Sequence, residues 1–141
     1  MASALGERVL MELTYPVFIQ ASDDKSIDLI ETREKLGHWY EQIDVEDGLY
    51  IGWDSKAIPF TLEWQKEVGS VPRLIRMTAE PENLKQALLT YAQLESRDAP
   101  FSVPETSDMV ELFRAIDLFR QSRNQNIWSK VWAKLRGLMR T

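Results

Sequence analysis

Residues 49–64 read LYIGWDSKAIPFTLEW and carry the most regular pattern in the chain. Large apolar residues occupy every second position on both sides of a short link: Leu49, Ile51 and Trp53 before it, and Ile58, Phe60, Leu62 and Trp64 after it. A period of two is typical of strands that bury one face. Two such segments joined by the short link 55–57 therefore predict a β-hairpin whose apolar side chains share a single buried face.

Further strands are predicted on both sides of the hairpin. Residues 15–20 (YPVFIQ) are rich in β-branched and aromatic side chains, and Pro16 favours a strand start or an edge because proline donates no ladder hydrogen bond. Residues 26–31 (SIDLIE) follow the turn formers of 21–25 and predict a short partner strand. A last strand is predicted in 72–77 (PRLIRM).

Two helices are predicted within the first 96 residues. Thr32 is a candidate N-cap for a helix over 33–42, with an apolar stripe at Leu36, Trp39, Tyr40 and Ile43. A longer helix beginning at Ser26 is the alternative. A second helix is predicted over 82–95. Together these elements predict an α+β fold: a small, mainly antiparallel sheet around the 49–64 hairpin, with both helices packed on one face.

The C-terminal third is predicted to be helical. Residues 97–107 contain two prolines and several turn formers, which indicates a connector. Helices are predicted over about 108–121 and 127–139, separated by residues 122–126 (SRNQN). The chain is thus expected to be one domain, 1–141, made of an α+β body over 1–96, the connector 97–107, and a basic C-terminal helical pair over 108–141.

Composition excludes several classes of function. The chain has no cysteine, which excludes disulfides, thiol catalysis and cysteine-ligated metals, and its one histidine, His38, excludes a two-histidine metal site. No stretch resembles a signal peptide, and no apolar run is long enough to span a membrane. The glycines form no nucleotide-binding loop, and residues 44–48 (DVEDG) lack the spacing of a calcium loop. We therefore expect a cytoplasmic protein with no cofactor and no metal.

Charge is distributed unevenly along the chain. The net charge is −5, yet residues 114–141 contain seven bases and one acid, whereas residues 23–54 contain ten acids and three bases. This asymmetry predicts either an interaction tail or a basic segment that folds back on an acidic body, and the second is favoured. An acidic face can also steer a basic partner, and Asp44, Glu46 and Asp47 are the candidate binding residues there.

The last predicted helix is amphipathic. Its apolar residues fall within an arc of about 140° at 100° per residue: Ile127, Trp128, Val131, Trp132, Leu135, Leu138 and Met139. Lys130, Lys134, Arg136 and Arg140 fall on the opposite side. The apolar side could close the protein's own core, which is the commoner use of such a stripe, fill a groove of a partner, or lie in a membrane interface. The candidate binding residues are Trp128, Trp132, Leu135, Lys130, Lys134 and Arg136.

These patterns favour a non-catalytic protein-interaction module over an enzyme. By size and charge alone it is comparable to bacterial immunity proteins and secretion chaperones, and its partner would be another protein or a second copy of itself. The alternative is peripheral membrane association through the basic, tryptophan-containing helix. The third hypothesis is a hydrolase that uses His38 or a pair of carboxylates. Nucleic acid is not expected as a partner, because the tail's aromatic residues lie opposite its bases.

Overall fold

A computed structural model of the chain describes residues 13–96 and 102–139, and within these the side chains of 125–128 and 138–139 are not described. Five strands form one antiparallel sheet in the order β2-β1-β3-β4-β5. Their bounds are β1 Val17–Ala21, β2 Ile27–Ile30, β3 Tyr50–Trp53, β4 Pro59–Gln65 and β5 Gly69–Leu74. The predicted antiparallel sheet around the hairpin is confirmed, and β1 begins directly after Pro16.

Four helices accompany the sheet: α1 Arg33–Trp39, α2 Gln42–Glu46, α3 Pro81–Glu95 and α4 Met109–Met139. The α+β class is confirmed. The chain divides into two compact units, Met1–Tyr91 and Ala92–Thr141, and the division falls within α3. No helix in the described residues is long and apolar enough to cross a membrane.

The register of the hairpin corrects the expected single buried face. Ile51 pairs with Thr61 and Trp53 with Pro59, so the apolar residues of β3 lie on the opposite face from Phe60 of β4. A three-residue link pairs odd-numbered residues of β3 with odd-numbered residues of β4, and paired residues share a face. The apolar residues are odd-numbered in β3 but even-numbered in β4, so they lie on opposite faces. The hairpin is therefore apolar on both faces, and both faces need cover.

Helices α1 and α2 cover one face of the sheet. Strand residues from that face form a buried cluster with side chains of the two helices and of the residue between them: Val17, Ile19, Ile30, Phe60 and Leu62 with Leu36, Tyr40 and Val45. Thr32 caps α1, and its Oγ1 accepts from the Lys35 amide at 3.2 Å. The main core therefore lies between this face and the α1–α2 corner.

The predicted stripe on the first helix is wrong at two of its four positions. Leu36 and Tyr40 are buried, but Trp39 is 56% exposed and Ile43 is 69% exposed. Helix α1 ends at Trp39, and Tyr40 is extended (φ −108°, ψ 146°), so the predicted continuation to residue 42 does not form. Because the helical period stops there, Ile43 belongs to a separate helix, α2, and no longer follows the face of α1 that holds Leu36.

Helix α3 lies beside the other face of the sheet. Gln20, Ile51 and Trp53 from that face border a cleft together with Ala87 and its polar neighbours on α3. Leu84, Leu88 and Tyr91 of the same helix are fully buried. The second apolar face of the hairpin explains why the two predicted helices of the body flank the sheet instead of sharing one side.

Helix α4 is continuous across residues 122–126, where the sequence predicts a break. Ser, Arg, Asn and Gln have only modest helix-interior costs, and no proline or glycine interrupts the segment. The two helices predicted over about 108–121 and 127–139 therefore form one helix, α4. Asp108 caps α4, since its Oδ1 accepts from the amides of Val110 at 3.0 Å and Glu111 at 3.3 Å. Of the predicted connector, 102–107 is non-helical and 97–101 lies outside the described residues.

Candidate functional site

An open cleft of about 360 Å³ lies where the β1–β2 turn meets the α1–α2 corner and the start of β3. We call it the acidic cleft, because five of its eleven lining residues are acids. The lining residues are Ala21, Asp23, Asp24, Ser26, Asp28, Trp39, Tyr40, Glu41, Asp44, Leu49 and Tyr50. None of these described lining residues is basic.

Two tyrosines form the aromatic wall of the acidic cleft. The ring centroids of Tyr40 and Tyr50 are 4.4 Å apart with an interplanar angle of 49°. The Tyr40 hydroxyl donates to Asp28 Oδ2 at 3.0 Å, and the Tyr50 hydroxyl donates to Asp44 Oδ2 at 3.5 Å. Asp28 is therefore held against Tyr40 by a hydrogen bond, and Asp44 makes a longer, weaker one with Tyr50.

Trp39 stands at the rim of the acidic cleft with more than half of its surface exposed. The Lys35 ammonium nitrogen lies 4.9 Å from the centroid of its ring. That distance is within the range of a cation–π interaction, which is strongest for tryptophan. The rim thus already places a cation on an aromatic face.

Burial, hydrogen bonds and neighbouring charges shift the pKa values of three groups in the acidic cleft. Burial, followed by the carboxylates of Asp44, Asp23 and Asp28, raises the pKa of Tyr50 above its ordinary value of 10.0. Burial and the neighbouring Asp28 likewise raise the pKa of Tyr40. Hydrogen bonds from the Ser26 hydroxyl and amide lower the pKa of Asp24. The phenols stay neutral and Asp24 stays ionised at neutral pH, so the cleft is anionic.

Only one of the three predicted acidic binding residues reaches the cleft. Asp44 lines it. Glu46 is exposed at the end of α2, where its Oε1 accepts from Gln42 Nε2 at 2.9 Å. Asp47 forms the C-cap of α2, and its amide donates to the Ile43 carbonyl at 3.0 Å. Of these three acids, one therefore lines the cleft and two lie at the end of α2.

The predicted binding residues of the C-terminal helix are exposed wherever the structure describes them. Trp132 is 58% exposed and Leu135 is 44% exposed. Lys130, Lys134 and Arg136 are also exposed, and the side chain of Trp128 lies outside the described residues. These side chains therefore lie at the surface of the described helix, and their role in binding stays a prediction.

His38 does not converge with the acidic cleft. It is exposed and lines a separate, smaller cleft of about 260 Å³ with Arg33, Glu34 and residues of the β5 edge. Among the described residues, no group of three acids or histidines lies close enough to hold a metal ion. Glu34 is the one carboxylate that lines this cleft with His38, and the hydrolase hypothesis stays a prediction.

Sequence reasoning misses most of the acidic cleft. Asp28, Tyr40 and Tyr50 come from a strand, a helix end and another strand, so no local spacing links them. The one available signal is the density of acids over 23–54. Comparison of the chain with protein-family models, curated proteins and solved structures found no match.

Proposed function

We propose that the protein is a non-catalytic interaction module that binds a basic segment of a partner protein in the acidic cleft. One observation carries the proposal: five carboxylates and three aromatic rings border one open cleft whose described lining includes no basic side chain. Sites with this chemistry recognise lysine and arginine side chains, which combine a positive charge with apolar or planar surface.

The charge arrangement supports a cationic partner. Asp23, Asp24 and Glu41 are exposed, whereas Asp28 and Asp44 are half-buried and lie deeper beside the tyrosines. Like charges that converge on a concave surface focus the potential and raise the rate at which a cation arrives. The same charges repel phosphates, which argues against nucleic acid.

The aromatic residues support an organic cation rather than a metal ion. Divalent cations prefer several oxygen ligands at short range, and no such group is present among the described residues. Trp39 offers an exposed ring, and Lys35 already occupies the neighbourhood of that ring. An incoming arginine could stack on Trp39 and pair with Glu41, which adds a hydrogen-bonded charge pair to the ring contact.

The test is the binding of a fluorescein-labelled peptide in which arginine and lysine alternate with glycine, measured by anisotropy with the full-length protein. Glu41→Gln combined with Asp44→Asn should weaken binding by about two- to fivefold for each charge removed. The amide introduced by Asp44→Asn retains an oxygen that can accept from Tyr50, so the fold should be kept. Trp39→Ala should also weaken binding.

The matched control is Glu63→Gln combined with Glu67→Gln, which removes the same charge from exposed positions outside the cleft. This variant should bind like the original chain. Equal weakening by both double variants would mean that the peptide responds only to net charge, and that outcome would overturn the proposal. Failure of the original chain to bind the peptide would overturn it as well.

A further inference from the structure

We infer that the C-terminal part of α4 is a docking element for anionic lipid surfaces. The part concerned is residues 129–137, called the C-terminal segment below. It is independent of the acidic cleft, because none of its residues lines that cleft. The basis for the inference is that exposed apolar side chains in this segment have basic side chains on either side of them.

The apolar side chains of the C-terminal segment are exposed. Val131 is 40% exposed, Leu135 is 44% exposed and Trp132 is 58% exposed, whereas Leu112 and Ile116 in the same helix are fully buried. The three residues span an arc of about 100° at 100° per residue. The first part of α4 therefore buries its apolar side, and the C-terminal segment leaves a continuous apolar strip in contact with solvent.

Cations border that strip on both sides, which corrects the expectation that the bases lie opposite the apolar side. At 100° per residue, Lys134 lies about 60° from Val131 on one side, and Arg136 lies about 40° from Trp132 on the other. Lys130 lies further round on the same side as Lys134, and no acid follows Asp117 in the sequence. Long basic side chains beside an apolar strip can reach anionic headgroups while the strip enters the acyl boundary, and tryptophan favours that depth.

The same placement argues against other occupants. If the strip paired with its counterpart on a second copy, Lys134 and Arg136 would meet like charges, which costs stability. The acidic cleft of a second copy offers complementary charge, but its lining is mostly carboxylates and phenols and provides little apolar surface for the strip. An anionic membrane supplies both the negative charge and the apolar phase.

The experiment is co-sedimentation of the full-length protein with vesicles of phosphatidylcholine alone and of equal amounts of phosphatidylcholine and phosphatidylglycerol. We expect binding to the anionic vesicles only, with loss when salt rises from about 0.05 M to about 0.5 M, because screening lengths shorten. Lys134→Glu should weaken binding at least about tenfold, since it removes one cation and adds an anion. Leu135→Ala should weaken it by a similar factor through lost apolar contact.

Two control variants use the same substitutions elsewhere. Leu118→Ala alters an exposed leucine on α4 outside the segment, and Lys85→Glu alters an exposed lysine on α3. Both should bind vesicles like the original chain, and the segment variants should still bind the basic peptide. Absence of binding to anionic vesicles, or equal weakening by Leu118→Ala and Leu135→Ala, would overturn the inference. A dimer in light scattering that Leu135→Ala dissociates would overturn it in favour of self-association.

Discussion

Asp54 is a buried residue whose hydrogen bonds hold the hairpin link in its conformation. It is 1% exposed, and its two oxygens accept from three amides: Thr14 at 3.0 Å, Lys56 at 2.9 Å and Ile58 at 2.9 Å. A buried carboxylate is acceptable where its lone pairs are satisfied in this way. It fixes the three-residue link, and through the link it fixes which face each strand residue occupies.

Asp54→Asn should therefore lower the free energy of unfolding by about 1–3 kcal/mol, the cost of leaving buried donors unpaired. Both carboxylate oxygens accept hydrogen bonds, so either orientation of the amide would place an NH₂ group against a backbone N–H. Urea unfolding followed by circular dichroism measures the loss. Glu63→Gln, on an exposed position of β4, should change the same quantity by less than about 0.5 kcal/mol. Equal stability of the two variants would contradict this role for Asp54.

The tyrosines of the acidic cleft predict how stability depends on high pH. Tyr40 and Tyr50 have raised pKa values in the folded chain, so above pH 10 the unfolded chain loses phenol protons that the folded chain keeps. The folded state then binds more protons than the unfolded state, and the free energy of unfolding falls as pH rises. Below the ordinary phenol pKa of 10.0 the contribution of these groups is complete.

Urea unfolding at intervals between neutral pH and pH 11 should show this decline only at the alkaline end. Tyr50→Phe should flatten it, because one of the responsible phenols is removed. Absorbance at the tyrosinate wavelength should also show fewer phenols ionised in the folded chain than in urea at the same alkaline pH. Coincident titration curves for the folded and unfolded chains would contradict the prediction.

At the level of secondary structure, the sequence predicts which strands and helices form better than it predicts how they pack. Alternation locates β3 and β4, and the Thr32 cap correctly marks the start of α1. The prediction of one helical layer fails because it ignores the register parity of the hairpin, which gives the sheet helices beside both faces. No glycine or proline directly follows Trp39 to indicate in the sequence that α1 ends there. Tertiary packing of Tyr40 against Tyr50 and Asp28 overrides the helical period there.

Helix α4 supports a prediction that separates its two parts. Ile116 is fully buried and Trp132 is 58% exposed. Ile116→Ala should lower the free energy of unfolding by about 2–5 kcal/mol, whereas Trp132→Ala should change it by less than about 0.5 kcal/mol. Parallel urea titrations of the two variants measure both effects. A loss of about 3–5 kcal/mol for Trp132→Ala, the value for emptying a large buried site, would instead place this residue in the core.

On the scale of the whole molecule, the charge asymmetry of the sequence corresponds to separate features. Five of the ten acids of 23–54 line the acidic cleft, and Lys134 and Arg136 flank an exposed apolar strip. Composition reveals the excess of each charge, but the cleft itself depends on strand register and on the α1–α2 corner, which no local pattern contains. The sequence could therefore predict the region, its negative charge and one lining residue, Asp44, but not the remaining residues of the cleft.

The continuous helix α4 has a consequence for the kinetics of amide hydrogen exchange. Its 31 residues extend for about 46 Å at 1.5 Å per residue. Helical turns with few buried side chains are only marginally stable in water, so they open locally without global unfolding. Deuterium should therefore enter the amides of residues 131–137 orders of magnitude faster than those near Leu112 and Ile116, as mass spectrometry of peptic fragments would show. A uniform rate along α4 would mean that the helix opens as one cooperative unit. Graded rates would mean that any surface which binds the C-terminal segment also has to supply the free energy that keeps it helical.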